Sequence, residues 1–258
     1  MKTGVRLHHH EQGSRTGPAV IMLHGYSDSS FSFSRVVPLL PPSLRVIVLD
    51  QRGHGRSDRT PGDYSMDAMA RDVIALMDLL GVTSATLVGH SMGSFVARRA
   101  AVLAPHRIER LVLVGASDVF FSPAVRELQE SIVALKDPVE PAFVREFQYS
   151  TVQVPPPDDF MARVIDESLI LDADTWKGVF AGMARYVPAE PDIRVPTFVI
   201  GGDRDAVFSE AAQRSLARAI KGAHIEILPG VGHTPHWEVP AQFVEKLLHV
   251  LETRPALV

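Results

Sequence analysis

Short runs of apolar, mostly β-branched residues recur along the chain, separated by stretches in which apolar residues return every three or four positions. The runs at 19–23 (AVIML), 46–49 (VIVL), 85–88 (ATLV), 111–114 (LVLV) and 197–200 (TFVI) are almost free of polar positions. That continuity predicts strands buried on both faces, as in a sheet covered by helices on each side. The run at 225–228 (IEIL) alternates and predicts a strand nearer an edge. Val5, Leu7 and His9 also alternate, toward a turn at Gln12-Gly13, and predict an N-terminal strand. Between the runs, Met69, Val73, Leu76, Met77 and Leu80 share one helical face over 66–80, and Gly81 ends it. Further helices are predicted over 94–104, 209–220 and 240–251, the last with Pro240 in its first turn. Alternation of strand and helix implies a mainly parallel α/β sheet.

The alternation lapses from about 117 to 191. No strand pattern appears there, only apolar helical patches at 125–135, 143–147, 160–169 and 176–186, punctuated by prolines. The expected organisation is a sheet domain made of 1–116 and 192–258, with 117–191 inserted as a helical cap.

Composition narrows the function. The chain of 258 residues carries a formal net charge of −4, which offers no basic field for nucleic acid or anionic lipid. It has no cysteine, so disulfides, thiolate nucleophiles and thiolate metal sites are excluded. No signal-peptide pattern and no apolar run of membrane-spanning length are seen, so a soluble, cytoplasmic monomer or homodimer is expected. His8, His9 and His10 suggest a metal site, but neighbouring strand residues point to opposite faces and cannot converge on one ion. No metal or other cofactor is expected.

The strongest local signal is Gly89-His90-Ser91-Met92-Gly93, set between a predicted strand and a predicted helix. A serine in such a sharp turn is lifted clear of the sheet edge, and the flanking glycines let the chains approach closely. A serine hydroxyl needs a base to take its proton and a third group to orient that base. The chain supplies both in the order Ser, Asp, His. Gly201-Gly202-Asp203-Arg204-Asp205 follows the strand TFVI, and Gly230-Val231-Gly232-His233 follows IEIL. Both loops therefore lie at the carboxyl edge of the sheet, where ligands of open α/β sheets bind. Asp203 and Asp205 both remain candidates on position alone. His233 follows the glycines directly and is preferred over His236, while His24 and His90 read as packed neighbours. Leu23-His24-Gly25-Tyr26-Ser27 follows the strand AVIML, so the backbone N–H groups of Tyr26 and Met92 are candidate oxyanion donors. Those are main-chain roles, leaving the side chains less constrained.

Together these residues resemble the α/β-hydrolase superfamily, in its cap-bearing esterase- or lactonase-like branch. The resemblance rests on His24-Gly25, the stretch from Asp50 to Ser57 (DQRGHGRS), Gly89 to Gly93 (GHSMG), Gly202-Asp203-Arg204-Asp205, and Gly232-His233 followed by Glu238-Val239-Pro240. It implies a mostly parallel, eight-stranded sheet with a helical cap, and a cofactor-free Ser91–His233–Asp205 triad. Family spacing favours Asp205 over Asp203. Haloalkane dehalogenases and epoxide hydrolases are set aside because they carry aspartate where this chain has Ser91.

The expected activity is hydrolysis of a small, largely apolar ester or lactone through an acyl-enzyme. Cleavage of a carbon–carbon or amide bond by the same triad, or ligand binding without turnover, are the alternatives. His24, Phe31, Phe120, Phe147 and Trp176 are candidate pocket residues. The loop after Asp50 reads as structural, with Arg52 in a buried pair.

Overall fold

The structure is a computed structural model describing residues 3–59 and 62–252. Its strands are β1 (His9–Gly13), β2 (Ala19–Leu23), β3 (Arg45–Leu49), β4 (Ala85–His90), β5 (Ile108–Val114), β6 (Thr197–Gly202) and β7 (His224–Leu228). They form one sheet in the order β1-β3-β2-β4-β5-β6-β7, parallel except for β1, which pairs antiparallel to β3 at the edge.

Seven strands are present among the described residues, one fewer than the eight expected. The N-terminal strand begins at His9, not at Val5, because the preceding backbone is committed elsewhere. The Arg6 N–H donates to Asp58 and the Asp58 N–H returns to the Arg6 carbonyl, while the His8 N–H donates to Ser57 Oγ. Those groups tie the segment to the loop after β3, and the first bond toward β3 is the Asp50 N–H to the His8 carbonyl.

Side-chain alternation then builds two cores. Ile21, Ile47, Leu87, Leu111 and Val199 face one cluster, whereas Val20, Val46, Val88, Val112 and Ile200 face the other. A strand points successive residues to opposite faces, so only runs apolar at every position can serve both layers. On the first face pack α1 (Met66–Leu79), α2 (Met92–Leu103) and, after β6, α7 (Glu210–Ala219). The second face is covered by α9 (Pro240–Glu252) through Phe243, Val244, Leu247 and Val250, together with Phe33 and Val36.

Between β5 and β6 lie α3 (Pro123–Ala134), α4 (Pro141–Ser150), α5 (Asp158–Leu169) and α6 (Ala173–Ala184), with no strand among them. Ser122 caps α3 and Asp172 caps α6, each accepting the N–H three residues on. A short helix, α8 (Pro235–Glu238), precedes α9. No helix of the described residues is long and apolar enough to cross a membrane.

Candidate active site

The carboxyl ends of β2, β4, β6 and β7 fall on one edge of the sheet because those strands are parallel. At the end of β4, Ser91 sits at φ 49°, ψ −112°, a left-handed conformation that costs a non-glycine residue about 1–3 kcal/mol. Its neighbours hold it there. The Ser91 N–H donates to the Val114 carbonyl at 2.9 Å, and the Ser94 hydroxyl donates to the Ser91 carbonyl at 2.6 Å. The flanking glycines are steric requirements. A Cβ on Gly89 would stand 2.3 Å from the Gly93 carbonyl oxygen, and one on Gly93 would stand 2.2 Å from that of Leu23.

After β6, the Asp205 carboxylate is fixed from both sides. Oδ1 accepts the N–H groups of Val207 and Phe208 at 2.8 Å each, and Oδ2 accepts His233 Nδ1 at 2.9 Å and Gln213 Nε2 at 3.3 Å. A carboxylate only accepts, so Nδ1 of His233 carries the proton and Nε2 of the neutral ring keeps its lone pair. Asp203 instead accepts the Gly230 N–H at 2.7 Å and fastens the turn after β7. Of the two aspartates left open by position, Asp205 is the one that meets the histidine.

The other histidines are otherwise engaged. His236 is fully buried, pairs with Ser32 Oγ at 3.0 Å, and is driven by burial down to about 3. His90 donates from Nε2 to the His233 carbonyl at 3.1 Å; burial, then the His236 and His233 charges, hold it well below the ordinary histidine range. His24 donates from Nδ1 to Gly25 O at 2.8 Å and accepts the Gln51 N–H on Nε2, which pins the loop after β2. Among the described residues, neither the Tyr26 N–H nor the Met92 N–H is committed to a hydrogen bond. Met92 is the first residue of α2, where an unpaired N–H and the helix dipole favour a negative charge.

A buried glutamate, Glu238, joins the histidine loop to the inserted helices. Its Oε2 accepts the N–H groups of Gln153, Val154 and Gly232, and its Oε1 accepts the N–H and hydroxyl of Thr234. The His233 N–H itself donates to the Thr151 carbonyl at 3.0 Å. The loop carrying His233 is thereby sewn to the segment between α4 and α5.

Ser91 and His233 open onto one cavity of about 350 Å³, together with Tyr26, Phe120, Phe147 and Trp237. Three expected pocket residues lie off its wall. His24 is consumed by the loop contacts above. Phe31 stacks on Phe160 at 5.3 Å in a separate apolar cluster. Trp176 is fully buried behind the wall, edge-on to Tyr26 and Phe147. The Tyr26 side chain, expected to be less constrained than its backbone, donates its hydroxyl to the Trp176 carbonyl at 2.7 Å and so ties the loop after β2 to α6.

A serine in a strained strand-to-helix turn and a histidine held by a buried aspartate share one cavity with Tyr26, and the uncommitted Met92 N–H directly follows the serine; such parts can carry out acyl transfer. Residues 18–140 match a family model described as the alpha/beta hydrolase fold. The chain has the α/β-hydrolase fold. Its sheet superposes on that of the enol-lactonase from Burkholderia xenovorans LB400 with a TM-score of 0.86 and 25% identity, covering 97% of this chain and 98% of that one. A hydrolase from Pseudomonas aeruginosa PA01 gives a TM-score of 0.87 and 27% identity over 98% of this chain and 97% of that one. The mouse sn-1-specific diacylglycerol lipase ABHD11 is 27% identical over 93% of this chain and 82% of its own length.

Four residues escape sequence reasoning: Gln213 beside Asp205, the clamp Glu238, and the cavity residues Asp28 and Gln148. Glu238 lies within a quoted family motif, although nothing in its spacing reveals a clamp. Gln148 sits among apolar residues of α4, where a lone amide carries no signal. The loop after Asp50 is structural as read, with Asp50 accepting from Ser30, Arg56 and His8, and Arg52 forked onto Asp72 at 2.6 and 2.9 Å.

Proposed function

We propose that this protein is a serine hydrolase that cleaves carboxylic ester or lactone bonds of small, largely apolar substrates through an acyl-enzyme. The observation that carries this reading is the hydrogen bond from His233 Nδ1 to Asp205 on the same cavity as Ser91. Ser91 attacks the carbonyl while Nε2 of His233 accepts its proton. The developing oxyanion is met by the N–H groups of Tyr26 and Met92. His233 then protonates the leaving alkoxide and activates the water that releases the acid. Asp205 stabilises the imidazolium without taking its proton.

The helices at 117–191 serve as the cap. Phe120, Phe143, Phe147, Phe180 and Met183 give the cavity its apolar wall, which suits an acyl chain or ring better than a peptide. The enol-lactonase and the diacylglycerol lipase to which the chain is similar agree with this reaction class.

Hydrolysis of p-nitrophenyl esters of graded chain length tests this. Turnover with an optimum at one chain length, and none after Ser91→Ala, is expected. Ligand binding with no turnover of any ester or lactone would sink it.

A further inference from the structure

Resting on that hydrolase reading, we propose that Asp28 and His90 form a paired-acceptor subsite for a primary ammonium group, so that the favoured substrates are amine-bearing esters. Both residues line the cavity of Ser91 and His233, and both are almost wholly buried. His90 donates from Nε2 to the His233 carbonyl, so in the neutral ring Nδ1 bears a lone pair, and that atom has no partner among the described residues. Asp28 Oδ2 lies 3.9 Å from it, too far for a hydrogen bond between them. Gly25 backs this pair closely; a Cβ there would stand 2.8 Å from Nδ1 and 3.0 Å from Oδ2.

Two acceptors at this separation can share one donor that has two N–H bonds to give. A primary ammonium does, and it also supplies the charge that a buried carboxylate lacks. The groups facing Asp28 are the Gln148 amide from α4 at 3.2 Å, the Gly25 backbone N–H, the Ser32 hydroxyl at 3.5 Å, the His90 ring and the nearby His233. None of these is a lysine or arginine. Burial accordingly pushes the Asp28 carboxyl up to about 7, opposed by the Gln148 hydrogen bond and the His233 charge.

The rest of the cavity points the same way. Glu127 and Glu146 also line it, from α3 and α4, whereas no Lys or Arg does among the described residues. Aromatic rings line the wall, and a desolvated cation gains most from contact with a ring face. An anionic acyl group would meet three carboxylates and no positive partner.

The test compares phenethylamine, phenethyl alcohol and hydrocinnamate, which share one aromatic body and differ in charge. Binding to the full chain is measured by calorimetry at about pH 8, where the amine is protonated. Phenethylamine is expected to bind about tenfold or more tighter than the alcohol, with hydrocinnamate the weakest. Asp28→Asn is expected to bring the amine to the affinity of the alcohol. Equal affinities in the unaltered protein, or an amine preference that survives Asp28→Asn, would overturn the subsite. Turnover of p-nitrophenyl butyrate by the same sample separates the two readings. Turnover without amine preference sinks the subsite alone, whereas amine preference without turnover of any ester sinks the hydrolase reading and leaves the subsite standing.

Discussion

The loops at the carboxyl edge of β6 and β7 and the helices that face them are held in opposite ways. On the loop side, Asp205 gathers four donors and Glu238 five among the described residues. On the facing side, Trp176 meets Phe143 and Phe147 edge-to-face, Tyr26 of the β2 loop packs edge-on to Phe147 and Trp176, and Asp28 of that loop has one amide, one backbone N–H and a distant hydroxyl. Saturated carboxylates fix directions to fractions of an ångström, which is what proton transfer requires. Aromatic packing fixes volume but tolerates exchange of one apolar group for another. On the proposed reading, chemistry is vested in the loops and selectivity in the wall. Substitutions on the two sides are expected to fail differently.

The largest effects belong to the loop side. Ser91→Ala and His233→Ala should each lower kcat by about a thousandfold or more with circular dichroism unchanged. Asp205→Asn should approach that loss, because an amide can no longer both hold the imidazole tautomer and stabilise its charge. Asp203→Asn, altering only a turn, should cost less than about tenfold. Steady-state kinetics on the four variants check this, and a reversed ranking of the two aspartates would exchange their roles.

Glu238→Gln comes next. The new NH₂ group can only donate, so N–H groups among those of Gln153, Val154, Gly232 and Thr234 lose their acceptor. Stability should fall by about 2–4 kcal/mol, or roughly 5–15 °C in Tm, and kcat by about tenfold as the His233 loop loosens. Thermal melts and kinetics made well below Tm separate the two losses. A normal kcat in a destabilised variant would reduce Glu238 to a fold residue.

Asp28 should show itself in the pH dependence of stability. Its folded carboxyl titrates near 7 against an ordinary 3.8, so the native state binds the proton more tightly than the unfolded chain. The resulting stabilisation is complete below the ordinary value and is lost as pH rises through about 7. The Tm of Asp28→Asn relative to the unaltered protein should therefore rise between about pH 4 and pH 8. A flat difference would show that Asp28 is not held protonated. Smallest of all, Phe147→Ala should move the preferred acyl chain to a longer one with kcat changed less than about fivefold; an unmoved optimum would place the acyl chain elsewhere.

The same contrast governs what could be read from the chain. Buried strands announce themselves because both faces must be apolar, and the five central runs stand within a few residues of their structural bounds. Serine, aspartate and histidine are legible because glycine-marked turns place each after a strand. The N-terminal strand starts at His9 and not at Val5 because the backbone at Arg6 and His8 is claimed by Ser57 and Asp58, a long-range demand that alternation cannot reveal; the count of eight strands comes from the family resemblance alone. Trp176 failed for a related reason. Periodicity shows that a helix has an apolar face but not which ring of that face touches the cavity and which stands behind it. Asp28 meets Gln148, and Glu238 meets Gln153 and Val154, across more than eighty residues of sequence, and single polar residues carry no periodic mark of such partners.

The serine mechanism is tested most directly by reaction with a fluorophosphonate probe, with the site of attachment located by mass spectrometry. Stoichiometric labelling at Ser91, abolished in Ser91→Ala and strongly slowed in His233→Ala, is the expected result. Labelling at another residue, or ester turnover that persists in Ser91→Ala, would contradict it.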